Sequence, residues 1–151
     1  MSEVFTREHI SINVDLENKN DYLKYIAGLA VKLGITKEEN GVYEGLIERE
    51  QEFETNLGFG IAIPHTKSCF VCKPAIIVIK PKDQVHWGGD YEENVKIIIS
   101  ILSPDKQEDN IHIKLLASLS RKLIYDEFKN ALVNALSEEE IYKMVEEALN
   151  S

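Results

Sequence analysis

The chain has 151 residues, 44% of them hydrophobic and 28% charged, with a formal net charge of -9 at pH 7. A chain of this size is expected to make one domain over 1–151, with a core that needs neither metal nor disulfide, and its acidic balance speaks against a general nucleic-acid binder. Apolar runs such as Ile97-Ile98-Ile99 are far too short to cross a bilayer, and Met1-Ser2-Glu3 leads into no apolar leader. A soluble, cytoplasmic protein without direct membrane insertion is therefore expected.

Residues 9–14 alternate apolar and polar, which predicts a half-buried strand or an extended lead-in segment. Leu23, Ile26, Ala27, Ala30 and Leu33 recur at helical spacing, so a helix is predicted over 22–33, capped by Asn20 or Asp21 and ended by Gly34. A second helix is predicted from 38 or 39 to 52, with Val42 and Leu46 facing inward and Ile47 and Phe53 beside them. Arg49, three residues beyond Leu46, then falls near the buried border, where an arginine needs a partner; the local choice is the carboxylate of Glu50 or Glu52.

Gly60-Ile61-Ala62-Ile63-Pro64-His65 reads as a short apolar strand. Ile61 and Ile63 face one side, and Pro64 lacks the ladder donor, so the strand is expected to end where His65 begins. That puts an imidazole at the lip of a rigid element, oriented yet reachable. Residues 74–79 and 95–102 read as strands, the second rich in β-branched residues and hence central, with a turn at Gly88-Gly89-Asp90 between them. Three helices are predicted over 110–124, 125 or 126 to 136, and 137–149, the last opened by the capping box Ser137-Glu138-Glu139-Glu140. The order indicates an α/β fold, a mixed β-sheet flanked by helices.

Cys69-Phe70-Val71-Cys72 carries both cysteines, but a structural zinc needs four ligands and the other histidines, at positions 9, 86 and 112, are scattered. A redox pair would open a helix, so two reduced, partly buried thiols are expected, with no metal and no cofactor. His86, beside Trp87, reads as structural. Residues near Phe59, Ile61 and Phe70 are candidates for an apolar docking rim, although core packing is the default for each. An arginine and two histidines, Arg49, His65 and His112, are the parts needed to hold a phosphoryl group on an imidazole nitrogen.

Through Arg49-Glu50, Thr55, Gly60-Ile61-Ala62-Ile63-Pro64-His65, Lys67, Pro74-Ala75, Val85-His86-Trp87 and His112-Ile113-Lys114-Leu115-Leu116-Ala117, the chain resembles the IIA component (type 2, fructose/mannitol family) of the bacterial phosphoenolpyruvate-dependent sugar phosphotransferase system. The resemblance covers nearly the whole chain. It implies that family's fold, phosphoryl transfer on His65 through Nε2, and active-site roles for Arg49 and His112, with Thr55 adding a hydroxyl bond to the phosphate. It implies a donor, the histidine-containing phosphocarrier protein, and an acceptor, a IIB component, usually on a cysteine, while the sugar is chosen by a membrane IIC subunit. The Arg49–Thr55 stretch with Phe53 looks like galactitol-type members, whereas Lys67, Trp87 and the His112 segment look like fructose-type ones, and Asn56 stands where relatives commonly have glycine. The nitrogen-related members of the family imply an alternative role, a protein-binding module switched by phosphorylation of the same histidine.

Overall fold

A computed structural model describes residues 4–52, 55–88, 94–105 and 110–150, apart from the side chains of 110–113 and 115. Phe53, the Gly89-Asp90 part of the expected turn and the His112 side chain lie outside the described residues. The strands are β1 (Ile10–Val14), β2 (Asn56–Gly58), β3 (Ile61–Ala62), β4 (His65–Ser68), β5 (Ala75–Pro81) and β6 (Ile97–Pro104). They form one mixed sheet in the order β1-β5-β6-β3-β2, with β4 also paired to β6. The helices are α1 (Lys19–Lys32), α2 (Glu39–Glu52), α3 (Asn110–Lys122), α4 (Asp126–Asn134) and α5 (Glu138–Leu149).

Alternation along the central strands builds two cores. Ile77, Ile79, Ile98 and Leu102 point to one face and pack with Tyr22, Leu23 and Ile26 of α1 and Val42 and Leu46 of α2. Ile76, Val78, Ile97 and Ile99 point to the other face and meet Leu119 of α3, Leu132 of α4, and Ile141 and Val145 of α5. Strands covered on both faces need near-continuous apolar runs, which is why β5 and β6 read so plainly in the sequence. Each such buried aliphatic side chain contributes about 1.5–3 kcal/mol relative to leaving it exposed.

Helix α1 starts earlier than its apolar pattern suggested. Asn18, rather than Asn20 or Asp21, is the cap, its side chain accepting from the Asp21 amide at 3.0 Å. At the other end Gly34 takes φ 75°, with the Ile35 amide bonded to the Ala30 carbonyl at 2.8 Å and its own amide to Val31 at 3.1 Å. That is the glycine-terminated C-cap the sequence predicted. Ser137 caps α5 by accepting from the Glu140 amide at 3.2 Å, as expected. Helices α3 and α4 stop at Lys122 and Asn134, short of the predicted ends. Ile124 is left 72% and Leu136 82% exposed, so no burial draws the chain into a further turn.

The strand through the Gly-Ile-Ala-Ile-Pro-His motif does not end at His65. It is interrupted at Ile63-Pro64 and resumes: Ile61 and Ala62 pair with Ile97 and Ile98, and His65 and Thr66 pair with Ile101 and Leu102 in the same register. Pro64 supplies no N–H, but its carbonyl accepts from the Ile101 amide at 3.2 Å and carries the ladder across the gap. Cys69 and Cys72 are free and exposed, not partly buried, because they sit in the turn that leaves β4.

His9 is 5% exposed, its Nδ1 3.0 Å from the Ile76 carbonyl, and burial holds its pKa below the usual 6.5 against the opposing pull of the Ile76 and Val4 carbonyls. Below that value the unfolded chain takes up a proton that the folded state resists, so this contribution to stability is present above about pH 6.5 and is lost as the pH falls below it. Urea midpoints measured between about pH 7.5 and pH 5.5 should decline in the wild type and decline less in His9→Gln. Parallel slopes would remove His9 as the cause.

Candidate functional site

Gly41, Gly45 and Arg49 lie four residues apart and so form one line along α2. A Cβ on Gly41 would come within 2.5 Å of the Phe70 ring, and one on Gly45 within 2.5 Å of Thr66 Oγ1. At Gly45 the helix therefore lies on β4 more closely than a Cβ would permit. One turn further along, the same line brings the Arg49 Nε–H to His65 Nε2 at 3.1 Å. The Glu50 or Glu52 partner expected from the local sequence is not what orients this arginine toward the site.

The imidazole of His65 is half-buried and held from both nitrogens. Nδ1 lies 2.7 Å from the Ile63 carbonyl, which can only accept, and Nε2 faces the Arg49 Nε–H, which can only donate. These partners assign the proton to Nδ1 and the lone pair to Nε2. The Ile63 carbonyl is available because Ile63 belongs to the break around Pro64, and the Ile63 amide is itself bonded to the Thr55 carbonyl at 2.9 Å.

By its pairing with Ile101, His65 projects to the sheet face covered by α3, α4 and α5, while Thr66 projects toward α2. Arg49 reaches it round the edge of β4, which among the described residues pairs only with β6. Helix α3, which carries His112 in its first turn, packs on the face to which His65 belongs through Leu119.

Thr55 is placed otherwise than the sequence suggested. It is buried, and its hydroxyl is bonded to Glu50 Oε2, so that proton is committed away from any phosphate at His65. Glu50 itself is 4% exposed and also accepts from Trp87 Nε1 at 3.1 Å. Sequence reasoning passed over Glu50 except as a possible arginine partner. Its signal was present in the register, since Val42, Leu46 and Glu50 share one buried face of α2.

The rim expected around the histidine is divided. Phe59 and Phe70 are exposed, the Phe59 ring lying 4.3 Å from Lys129 Nζ, but Ile61 is wholly core. His86 is exposed, and the structural role in that segment belongs to buried Trp87. Asn56, in the place of a glycine, is bonded through its side chain to the Gly58 amide at 3.0 Å and to the Gly88 carbonyl at 3.3 Å, and so shapes the turn before the motif.

The family model for the phosphoenolpyruvate-dependent sugar phosphotransferase system, EIIA 2, matches residues 3–148. The chain belongs to this family. It is a protein-histidine phosphotransferase component of a sugar transport system. The fructose-specific EIIA component of Haloferax volcanii is 27% identical over 149 residues, which cover 99% of this chain and 96% of that one. Multiphosphoryl transfer protein 2 of Escherichia coli is 33% identical over 144 residues, covering 95% of this IIA chain but only 17% of that protein. Among solved structures, the nitrogen regulatory protein IIA-Ntr of Neisseria meningitidis aligns with a TM-score of 0.82 at 23% identity, over 95% of this chain and 97% of that one. The Escherichia coli mannitol IIA, solved in complex with phosphorylated mannitol IIB, aligns with a TM-score of 0.77 at 21% identity, over 95% and 97%. These likenesses show the shared fold.

The two glycines of α2 should respond differently to alanine. Replacement gains about 1 kcal/mol of helix propensity at either position. Phe70 is 45% exposed and can swing aside, whereas Thr66 is buried and cannot. Gly41→Ala should therefore be near neutral in chemical denaturation, and Gly45→Ala should cost about 1–3 kcal/mol from overpacking. Equal effects at both would show that α2 can drift off β4.

Proposed function

We propose that this IIA chain accepts a phosphoryl group on Nε2 of His65 from the histidine-containing phosphocarrier protein and passes it to a IIB component. The observation that carries this reading is the double restraint on the imidazole, with Nδ1 on the Ile63 carbonyl and Nε2 directed at a guanidinium. In the forward step the Nε2 lone pair attacks phosphorus, the N–P bond to the donor's imidazole breaks, and that imidazole leaves with its electron pair. The proton stays on Nδ1, which donates it to the Ile63 carbonyl. The chemistry then requires positioning and charge stabilisation rather than a base or a metal-activated water.

Arg49 occupies the Nε2 lone pair in the resting site, so it must exchange that contact for the arriving phosphoryl oxygens. A planar guanidinium makes the exchange at little cost, because the same donors serve both and two oxygens can be held at once. His112, on the first turn of α3, is the second donor to the phosphate or an orienting neighbour of His65. Thr55 supports the site through its backbone carbonyl.

The acceptor assignment draws on the mannitol IIA relative, whose structure was determined with phosphorylated IIB. Fructose or a related sugar or polyol such as galactitol is the proposed cargo of the system. Fructose is favoured by likeness to the Haloferax volcanii component and to the fructose-specific EIIABC component of Bacillus subtilis, 28% identical over 148 residues that make up 23% of that protein. No described helix is long and apolar enough to cross a membrane, and a cytoplasmic site of action is proposed with the phosphocarrier role. The alternative, a phosphorylation-switched binding module, is favoured by the likeness to IIA-Ntr. It uses the same histidine and differs in whether the phosphoryl group moves on.

Incubation with phosphoenolpyruvate, enzyme I and the phosphocarrier protein should add one acid-labile phosphoryl group by intact mass, and His65→Ala should take none. Addition of a IIB domain should then discharge it; retention on the chain would support the regulatory role. Arg49→Ala should fold normally and accept phosphate roughly ten- to a hundredfold more slowly, the loss of a charge-assisted contact of about 1.5–3 kcal/mol. An unchanged rate would remove Arg49 from the site.

A further inference from the structure

Glu50 is a buried carboxylate next to Arg49 that the transfer step does not use. Its Oε2 accepts the Thr55 hydroxyl. Its Oε1 lies 3.3 Å from the Thr55 amide, 3.1 Å from Trp87 Nε1 and 3.9 Å from Lys19 Nζ. A carboxylate offers about four acceptor positions, and a buried one must be surrounded by donors, so this set fixes Thr55 firmly against α2. The path then continues along the backbone. The Thr55 carbonyl accepts the Ile63 N–H at 2.9 Å, and the Ile63 carbonyl accepts from His65 Nδ1 at 2.7 Å. His65 Nε2 closes the ring on Arg49, the residue adjacent to Glu50.

We propose that Glu50 is a positioning residue for phosphoryl transfer: through Thr55 it holds the Ile63 carbonyl where that carbonyl keeps the His65 proton on Nδ1 and the lone pair on Nε2. The proposal rests on the reading of His65 as the phosphoryl acceptor. A neutral imidazole has two tautomers, and the bond made by one nitrogen decides which of them is present. Only the form protonated on Nδ1 can attack through Nε2. If the segment from Thr55 to Ile63 loosens, the carbonyl leaves Nδ1, the proton divides between the nitrogens, and the attacking population shrinks. The reach of the Glu50 side chain is thereby coupled to the electronic state of a ring it does not touch.

The test is the His65 ring-nitrogen spectrum of the 15N-labelled full chain at about pH 8, where an ordinary imidazole is neutral, together with the rate of phosphorylation by phosphoenolpyruvate, enzyme I and the phosphocarrier protein. Wild type should show a proton on Nδ1 and a lone pair on Nε2. Glu50→Gln keeps an acceptor for the Thr55 amide and Trp87 and should retain that signature and most of the rate. Glu50→Ala and Glu50→Asp withdraw the acceptor and should give mixed tautomers with transfer slowed about ten- to a hundredfold, the scale expected when a reacting group is misplaced by about an ångström. Should Glu50→Ala fail to fold, Glu50→Asp decides, since it keeps the charge and shortens only the reach. A folded Glu50→Asp protein with the wild-type tautomer and rate overturns the proposal while leaving the acceptor reading intact. A wild-type chain that takes no phosphate on His65 overturns the acceptor reading and the proposal with it.

Discussion

Helix α2 lies against β4 at a separation that leaves no space for a Cβ at Gly45, and the reach of Arg49 to His65 depends on that contact. A bulkier residue would lift the helix, and the arginine one turn further on would no longer reach the imidazole across the edge of the sheet. Hydrogen-bond strength falls steeply with distance, so a small displacement of the helix would dissolve the 3.1 Å contact between Arg49 and His65. Packing here sets the electrostatics.

The interruption at Ile63-Pro64 supplies the other half of the geometry. In an unbroken ladder the Ile63 carbonyl would be directed at a neighbouring strand; beside a proline it can turn to the His65 ring within the same segment. The register on either side of the break is unchanged, so β6 holds both pieces as one rigid edge. The site thus combines a fixed support with a locally freed acceptor.

Two neighbouring charged residues of α2 have divided tasks. Arg49 is half-buried and directed to the imidazole, where the proposed phosphoryl group would meet its donors. Glu50, one position on, faces inward and is enclosed by Thr55, Trp87 and Lys19. Burying a carboxylate is expensive without such a set of partners. The acceptor positions of Glu50 are filled from this inner side, so its charge is held away from the imidazole that Arg49 faces.

Much of this protein is determined by the sequence alone. The apolar runs of β5 and β6, the helical periodicities, Gly34 as a helix terminator, Ser137 as a cap and the α/β class follow from local chemistry: a period of burial or a special backbone angle needs only nearby residues. The family motif likewise marks His65, Arg49 and His112 as the residues to examine. Only tertiary structure decided that Arg49 turns its Nε–H to His65, that Thr55 gives its proton to Glu50, that Ile61 is core rather than rim, and that the strand restarts at His65. Each of those outcomes depends on groups distant in the chain, such as Thr66 against Gly45, Trp87 against Glu50 and Ile101 against Pro64. A hydrogen-bond donor chooses among acceptors by where the folded backbone places them, and that choice is absent from any local pattern.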